Sequence, residues 1–321
     1  MENKAFVFTV LTALLVLMSA GGSSAASCKI KPLRGTFLQL DGANLSWTDA
    51  QWEQEIRAMK KLGMDTLIIC ATAQDTYAFC RLSEYPLWAK CGTDDPLQAL
   101  LDLSQKHGIK VYVGLYAWGW EKQGTADFAE FARRCIVISD EVWHRYGKHP
   151  AFVGWYVLNW EMGNVPDENN VAVKAYRRVV PHLRCLSPKM PIITAPYFTI
   201  DCDPATFESG WRKLLPLLDV DILSMQDGVG CGRNLTPENV KPYFEGMMRA
   251  CKDSGVEFWA DVEIFDSVPE WKPAQVERVV RQMESVSPYV EKIVVFEFNH
   301  YYSPVRCGPE GMQALSKALK R

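Results

Sequence analysis

Several chemistries are missing from these 321 residues. There is no G-x-x-x-x-G-K-[ST] phosphate loop and no G-x-S-x-G elbow, which removes P-loop nucleotide hydrolysis and the elbow form of serine catalysis. The five histidines are scattered, so a metal-dependent hydrolase with paired imidazole ligands has little to build on. We therefore expect no metal and no organic cofactor. A basic excess is missing too. Lys and Arg number 35 against 38 Asp and Glu, a net charge of −3, which gives neither nucleic acid nor an anionic membrane a reason to bind. Beyond the leader no apolar run is long enough to span a bilayer. No repeat, low-complexity tract or linker marks a second domain.

What is present begins with a leader. Met1-Glu2-Asn3-Lys4 runs into an apolar segment from Ala5 to Ala20 and then small residues to Ser27. That is the layout of a secretory signal peptide over residues 1–27, and it predicts an exported protein, secreted or periplasmic, with a mature chain of 28–321. An uncleaved anchor is the alternative, disfavoured by the small-residue exit. Ala25-Ala26-Ser27-Cys28 weakly resembles a lipoprotein site, so a lipid anchor on Cys28 stays open. All ten cysteines lie beyond the leader without a C-x-x-C pair, and an even count in an exported chain points to disulfides. Cys80 with Cys91, and Cys202 with Cys231, are the pairings that would staple loops on one face.

Eight apolar runs read as strands: 35–40, 65–71, 110–118, 152–160, 191–198, 220–225, 256–264 and 292–298. Eight amphipathic or capped stretches read as helices: 48–62, 96–107, 126–146, 169–186, 206–217, 237–254, 273–285 and 310–319. Thr48-Asp49-Ala50-Gln51 has capping-box form, Asp95-Pro96 and Thr236-Pro237 place a cap before proline, and Gly63, Gly108 and Gly255 sit where helices should stop. Strict alternation, short helix-to-strand links and longer strand-to-helix loops predict a single (β/α)8 barrel. A doubly wound open sheet is the rival, but no Gly-rich dinucleotide loop follows the first strand.

In a barrel the polar residues at the strand ends converge on one mouth. The run from Phe152 to Trp160 holds two Trp and a Tyr and closes on Glu161, and Phe258 to Ile264 closes on Asp261 and Glu263. Glycoside hydrolysis needs two carboxyl groups flanking one bond, and Glu161 and Glu263 are the candidate pair. Separations of roughly 5 Å and 6.5–9.5 Å would correspond to retention and inversion. Candidate ligand contacts are Gln39, Asp41, Trp118, Trp120, Asn159, Trp160, Tyr197, Gln226, Asp227, Asp261, Glu297, Asn299 and Tyr301. Alternation puts Asn159 on the side of Glu161, Asp261 on that of Glu263, and Asn299 and Tyr301 on that of Glu297. Trp118, Trp120 and Trp160 are the rings best placed to pack on a pyranose. Acids, amides and aromatics without a basic cluster suit a neutral polyhydroxylated ligand, a carbohydrate. Two alternatives remain open: an inverting enzyme with Asp227 or Glu297 as base, and a carbohydrate-binding barrel without catalysis. The bland reading of each acid is a barrel carboxylate paired with Lys or Arg.

Several segments carry a family resemblance. Gly35-Thr36-Phe37-Leu38-Gln39, Trp52, Met59 to Ile68, Gly154-Trp155-Tyr156 with Glu161, Gln226-Asp227-Gly228-Val229-Gly230 and Trp259-Ala260-Asp261-Val262-Glu263 resemble the DUF4434 family of glycoside-hydrolase-like TIM barrels. The likeness runs from about Leu33 to the region of Tyr302 and implies a barrel with carbohydrate chemistry. A wider similarity, to retaining glycosidases with the acid/base after strand four and the nucleophile after strand seven, implies those roles for Glu161 and Glu263. Such enzymes place Asn directly before the strand-four Glu; here Trp160 holds that position and Asn159 is one further back.

Overall fold

A computed structural model describes residues 30–118, 127–157, 169–197, 199–232 and 234–320. Eight parallel strands close into one barrel. In chain order they are β1 (Leu33–Leu38), β2 (Thr66–Ile69), β3 (Lys110–Gly114), β4 (Phe152–Val157), β5 (Ile192–Thr194), β6 (Ile222–Gln226), β7 (Glu257–Glu263) and β8 (Lys292–Phe296). Each pairs with its sequence neighbours, and β1 closes the ring against β8 through Gly35↔Val294 and Thr36↔Val295. The open-sheet alternative is thereby removed.

The helices that return the chain are α1 (Asp49–Lys61), α2 (Pro96–His107), α3 (Phe128–Tyr146), α4 (Val171–Leu186), α5 (Pro204–Leu218), α6 (Lys241–Ser254), α7 (Val276–Val286) and α8 (Pro309–Leu319). Their ends follow the expected local chemistry. Thr48 and Gln51 complete a capping box on α1, Asp95 caps α2, and Gly108 and Gly255 end α2 and α6 in the left-handed conformation. Two starts differ from expectation by more than two residues. Thr236 and Asn239 cap each other in a turn, so α6 begins only at Lys241. Pro273 pairs with Phe265 in a hairpin, so α7 begins at Val276.

The core lies mainly between strands and helices, where Trp52, Trp155 and Trp211 are fully buried. Burial of each such ring contributes about 2–3 kcal/mol. That layer carries the fold, which frees the barrel's open end to hold polar groups. Inside the barrel, Trp259 of β7 meets Tyr112 of the opposite strand β3, with ring centroids 5.9 Å apart at 90°. The face of β7 that carries Trp259 therefore points inward, and alternation puts Asp261 and Glu263 above it towards the mouth. Among the described residues no helix is long and apolar enough to cross a membrane.

The disulfide expectation is not met. None of the nine described cysteines is joined to another. Cys80 is buried against Tyr146 of α3, and the Cys231 thiol donates to Glu263, so the expected partners are turned to other neighbours. Residues 1–27 and Cys28 lie outside the described residues.

Candidate active site

Strand β7 ends in a carboxyl that a backbone N–H and a thiol orient. Glu263 is 2% exposed; its Oε2 accepts from Cys231 N–H at 3.0 Å and its Oε1 from the Cys231 thiol at 3.3 Å. The turn bearing Cys231 comes this close because residue 230 is glycine. A Cβ there would stand 2.4 Å from the Phe265 carbonyl and 2.9 Å from the Glu263 Cβ. Burial, and then the nearby Asp227 carboxyl, push Glu263 up from the ordinary carboxylate range, against the pull of the Cys231 donors.

Asp227 follows β6 and continues its ladder to β7. Its N–H donates to Asp261 O at 3.0 Å, while its own Oδ1 accepts from Glu263 N–H and Val229 N–H, both at 3.2 Å. Its Oδ2 accepts from Gln282 Nε2 of α7 at 2.6 Å. Burial raises its pKa against these donors. Asp261, one layer deeper, is 0% exposed, and neither of its oxygens has a hydrogen-bond partner among the described residues. Burial, then Glu263 and Asp227, hold it well above the usual range. Among the described residues no Lys or Arg bonds to a carboxylate oxygen of these three acids. Arg278 of α7 instead donates to the carbonyls of Glu263 and Phe265.

The adjoining edge, between β1 and β8, is different. Glu297 is 0% exposed; it accepts from Gln39 N–H at 2.6 Å and contacts His300 Nδ1. His300 Nε2 lies 2.8 Å from Asp41, which also forms an ion pair with Arg306 at 2.8 Å. Burial pushes Asp41 up, but His300, the Asn44 N–H and Arg306 outweigh it and leave its carboxyl well below the ordinary range.

The expected contacts now divide. Gln39, Asp41, Gln226 and Tyr301 are half-buried at the mouth, and Tyr197 is half-buried beyond β5. Gln226 spends its amide on the Ala195 carbonyl at 3.1 Å. Trp118 stacks one face on Phe131 of α3, at 4.9 Å and 28°, which closes that face to a ligand. Asp227, Asp261 and Glu297 are 0% exposed against 2% for Glu263, and the oxygens of Asp227, Glu297 and Glu263 all have hydrogen-bond partners, so burial alone does not set these expected contacts apart from Glu263. The alternation expected beyond β8 fails. The chain turns helical over Phe298–Tyr301, so Asn299 faces backward, buried between Asn44 and Glu55, rather than beside Glu297. Trp120, Asn159, Trp160 and Glu161 lie outside the described residues.

Several contributors went unforeseen. Gln282 shares the buried stripe of α7 with Val279, Met283 and Val286, and Glu55 shares that of α1 with Trp52, Ile56 and Met59. A polar side chain on an apolar stripe is a signal the sequence does carry. Cys231 could not be told from a disulfide partner.

A closed parallel barrel of eight strands with helices between them defines a (β/α)8 protein, and this one buries acids at the C-terminal ends of its strands. The DUF4434 domain, a domain of unknown function, matches residues 33–308, and the chain belongs to that family. The structure is similar to a candidate alpha-L-fucosidase from Bacteroides thetaiotaomicron VPI-5482, with 19% identity, 97% of this chain and 98% of that chain covered, and a TM-score of 0.78. It is also similar to the endo-beta-1,4-mannanase from Thermotoga petrophila, with 13% identity, coverage of 91% and 77%, and a TM-score of 0.60. A third is the intracellular xylanase from Thermoanaerobacterium saccharolyticum, with 13% identity, coverage of 88% and 95%, and a TM-score of 0.54. At these identities the likeness speaks for the fold alone. No curated protein matches by sequence.

Proposed function

We propose that the protein is an exported glycoside hydrolase that acts on an oligo- or polysaccharide by a retaining mechanism. The observation that carries this reading is Glu263, an inward-facing carboxyl at the end of β7, aimed by two Cys231 donors and raised in proton affinity. In this reading Glu161 gives its proton to the glycosidic oxygen as the Glu263 carboxylate attacks the anomeric carbon. The bond to the leaving sugar breaks and a glycosyl ester forms. Glu161 then takes a proton from water, whose oxygen attacks the same carbon and frees Glu263. A raised proton affinity makes the Glu263 carboxylate the more basic nucleophile, and burial, then Asp227, set that affinity.

The test is incubation of the purified protein with a polysaccharide panel under reducing-end detection, with the anomer of the first product read by NMR. Release of product with retained configuration, abolished in both Glu161→Gln and Glu263→Gln at unchanged thermal melts, is the expected result. Full activity in either variant removes that residue from the mechanism. Affinity for oligosaccharide without product over long incubation would instead identify a binding barrel.

A further inference from the structure

The net charge of −3 averages over a surface that is not uniform. At the end of the barrel away from Glu263, the approaches to β1, β2 and β3 and the last turns of α1 and α8 bring lysines together. Lys60, Lys61, Lys110, Lys317 and Lys320 are exposed there, and Lys31 is half-buried. Lys61, Lys317 and Lys320 line one groove between α1 and α8, with Arg57 a turn above Lys61. Among the described residues no carboxylate forms an ion pair with any of these lysines. The acids of the sector are matched already: Asp65 pairs with Arg34, and Glu53 with Arg57 and Lys106.

A basic side chain in the last turn of a helix answers the helix dipole, which would spread cations evenly beneath the ring of helices. They are not even. α5 and α7 have no basic residue in their last turns, and the approaches to β6, β7 and β8 hold Asp219, Asp221, Asp253 and Glu291 instead. There Arg184 meets Asp219 and Asp221, and Arg212 meets Asp253. The lysines therefore occupy one side of this end only, and the chain enters the barrel on that side. Lys31 N–H donates to Ser287 Oγ at 2.9 Å, in the link between α7 and β8, and Leu33 opens β1. The segment before Ile30, apolar in sequence from Ala5 to Ala20, thus joins the barrel beside the lysines.

We propose that this lysine face rests on the anionic headgroups of a bilayer, with the mouth of the barrel turned away from it. The net charge offers no reason to bind a membrane; its distribution does. Headgroup phosphates supply the counter-charges that the protein withholds, and each lysine brought near such a surface strengthens binding about fivefold. A polybasic face holds a protein stably beside a second, apolar signal, and the N-terminal segment joins where it can supply one. A soluble acidic polymer would account for the lysines but not for their coincidence with that segment. Glu263 and the mouth lie at the other ends of the strands, so whatever the mouth binds is met from the side away from the membrane. None of this depends on the hydrolase reading.

The test is sedimentation of the purified full chain with vesicles of phosphatidylcholine, alone or mixed with phosphatidylglycerol. Two variants of equal net charge are compared with the parent. One carries Lys60→Gln, Lys61→Gln, Lys317→Gln and Lys320→Gln; the other carries Lys90→Gln, Lys174→Gln, Lys241→Gln and Lys272→Gln, exposed positions towards the mouth. The parent should prefer the anionic vesicles, and salt should reduce that preference. The first variant should lose about a hundredfold of its anionic-vesicle binding and the second less than about threefold, at unchanged thermal melts. Binding to neutral vesicles, which reads the N-terminal segment alone, should be the same in all of them. Equal losses in the two variants, or a parent with no anionic preference, overturn the proposal. So does tighter binding to soluble polygalacturonate than to anionic vesicles, lost in the first variant, which would assign the face to an acidic polysaccharide.

Discussion

At the β1/β8 edge of the mouth, Asp41 and Glu297 meet His300 and Arg306; at the β6/β7 edge, Asp227, Asp261 and Glu263 meet amides, a thiol and one another. Acids at two depths are driven in opposite directions: Asp41 is half-buried, whereas Asp227, Asp261 and Glu263 are buried. Where basic side chains lie against the carboxylate, as at Asp41, proton affinity falls and the acid becomes a structural anion. Where burial dominates, proton affinity rises. Glu55 is an internal control on the β1/β8 side. It is buried behind that edge, hydrogen-bonded to Asn299 at 2.9 Å and to Ser303, and burial pushes its carboxyl up to about 7. Depth of burial, together with the partners among the described residues, decides the sign rather than location on the rim.

The comparison can be broken or sharpened by substitution. The largest effect is expected from Gly230→Ala, whose added methyl displaces the turn that aims Glu263. Turnover on any polysaccharide that proves to be a substrate should fall roughly a hundredfold with the fold retained. Next is Glu55→Gln. A raised folded pKa means stability falls as pH rises from 4.5 through about 7, so the variant should lack a loss of about 3 kcal/mol across that window in urea melts.

His300→Ala leaves buried Glu297 with one donor and should cost about 2 kcal/mol at neutral pH. Its gap to wild type should close in acid, because the stability that Asp41 gains from its lowered pKa is present above the ordinary carboxylate range and is lost as pH falls through the folded value. The smallest effect is that of Gln282→Leu, about 1 kcal/mol from removing one donor to Asp227. It should also move the acid limb of the pH–rate profile, since the proton affinities of Asp227 and Glu263 depend on each other.

Much of the barrel was legible in the residues because each unit carries its own punctuation. Thr48 with Gln51, Asp95 with Pro96, and glycines at 108 and 255 mark helix ends by local chemistry alone. Glu263 was legible for a related reason, an acid closing an apolar strand. The neighbours that tune it were not, because they come from elsewhere in the chain. Gln282 lies 55 residues from Asp227, and Arg278 secures carbonyls, which leave no pattern in side-chain identity. Asn299 was misplaced because alternation holds only while the strand lasts, and this one stops at Phe296. Even cysteine count suggested disulfides, yet the Cys231 thiol serves a carboxylate.

The most direct test makes the same change at both edges. Glu263→Gln and Glu297→Gln each exchange one carboxyl oxygen for an amide, and turnover and thermal midpoint are measured side by side on a shared substrate. Turnover should drop roughly a thousandfold in Glu263→Gln at a preserved midpoint, while Glu297→Gln should keep turnover within about tenfold and lose stability. Loss of turnover in Glu297→Gln with Glu263→Gln fully active would contradict the assignment of the chemistry to the β6/β7 edge.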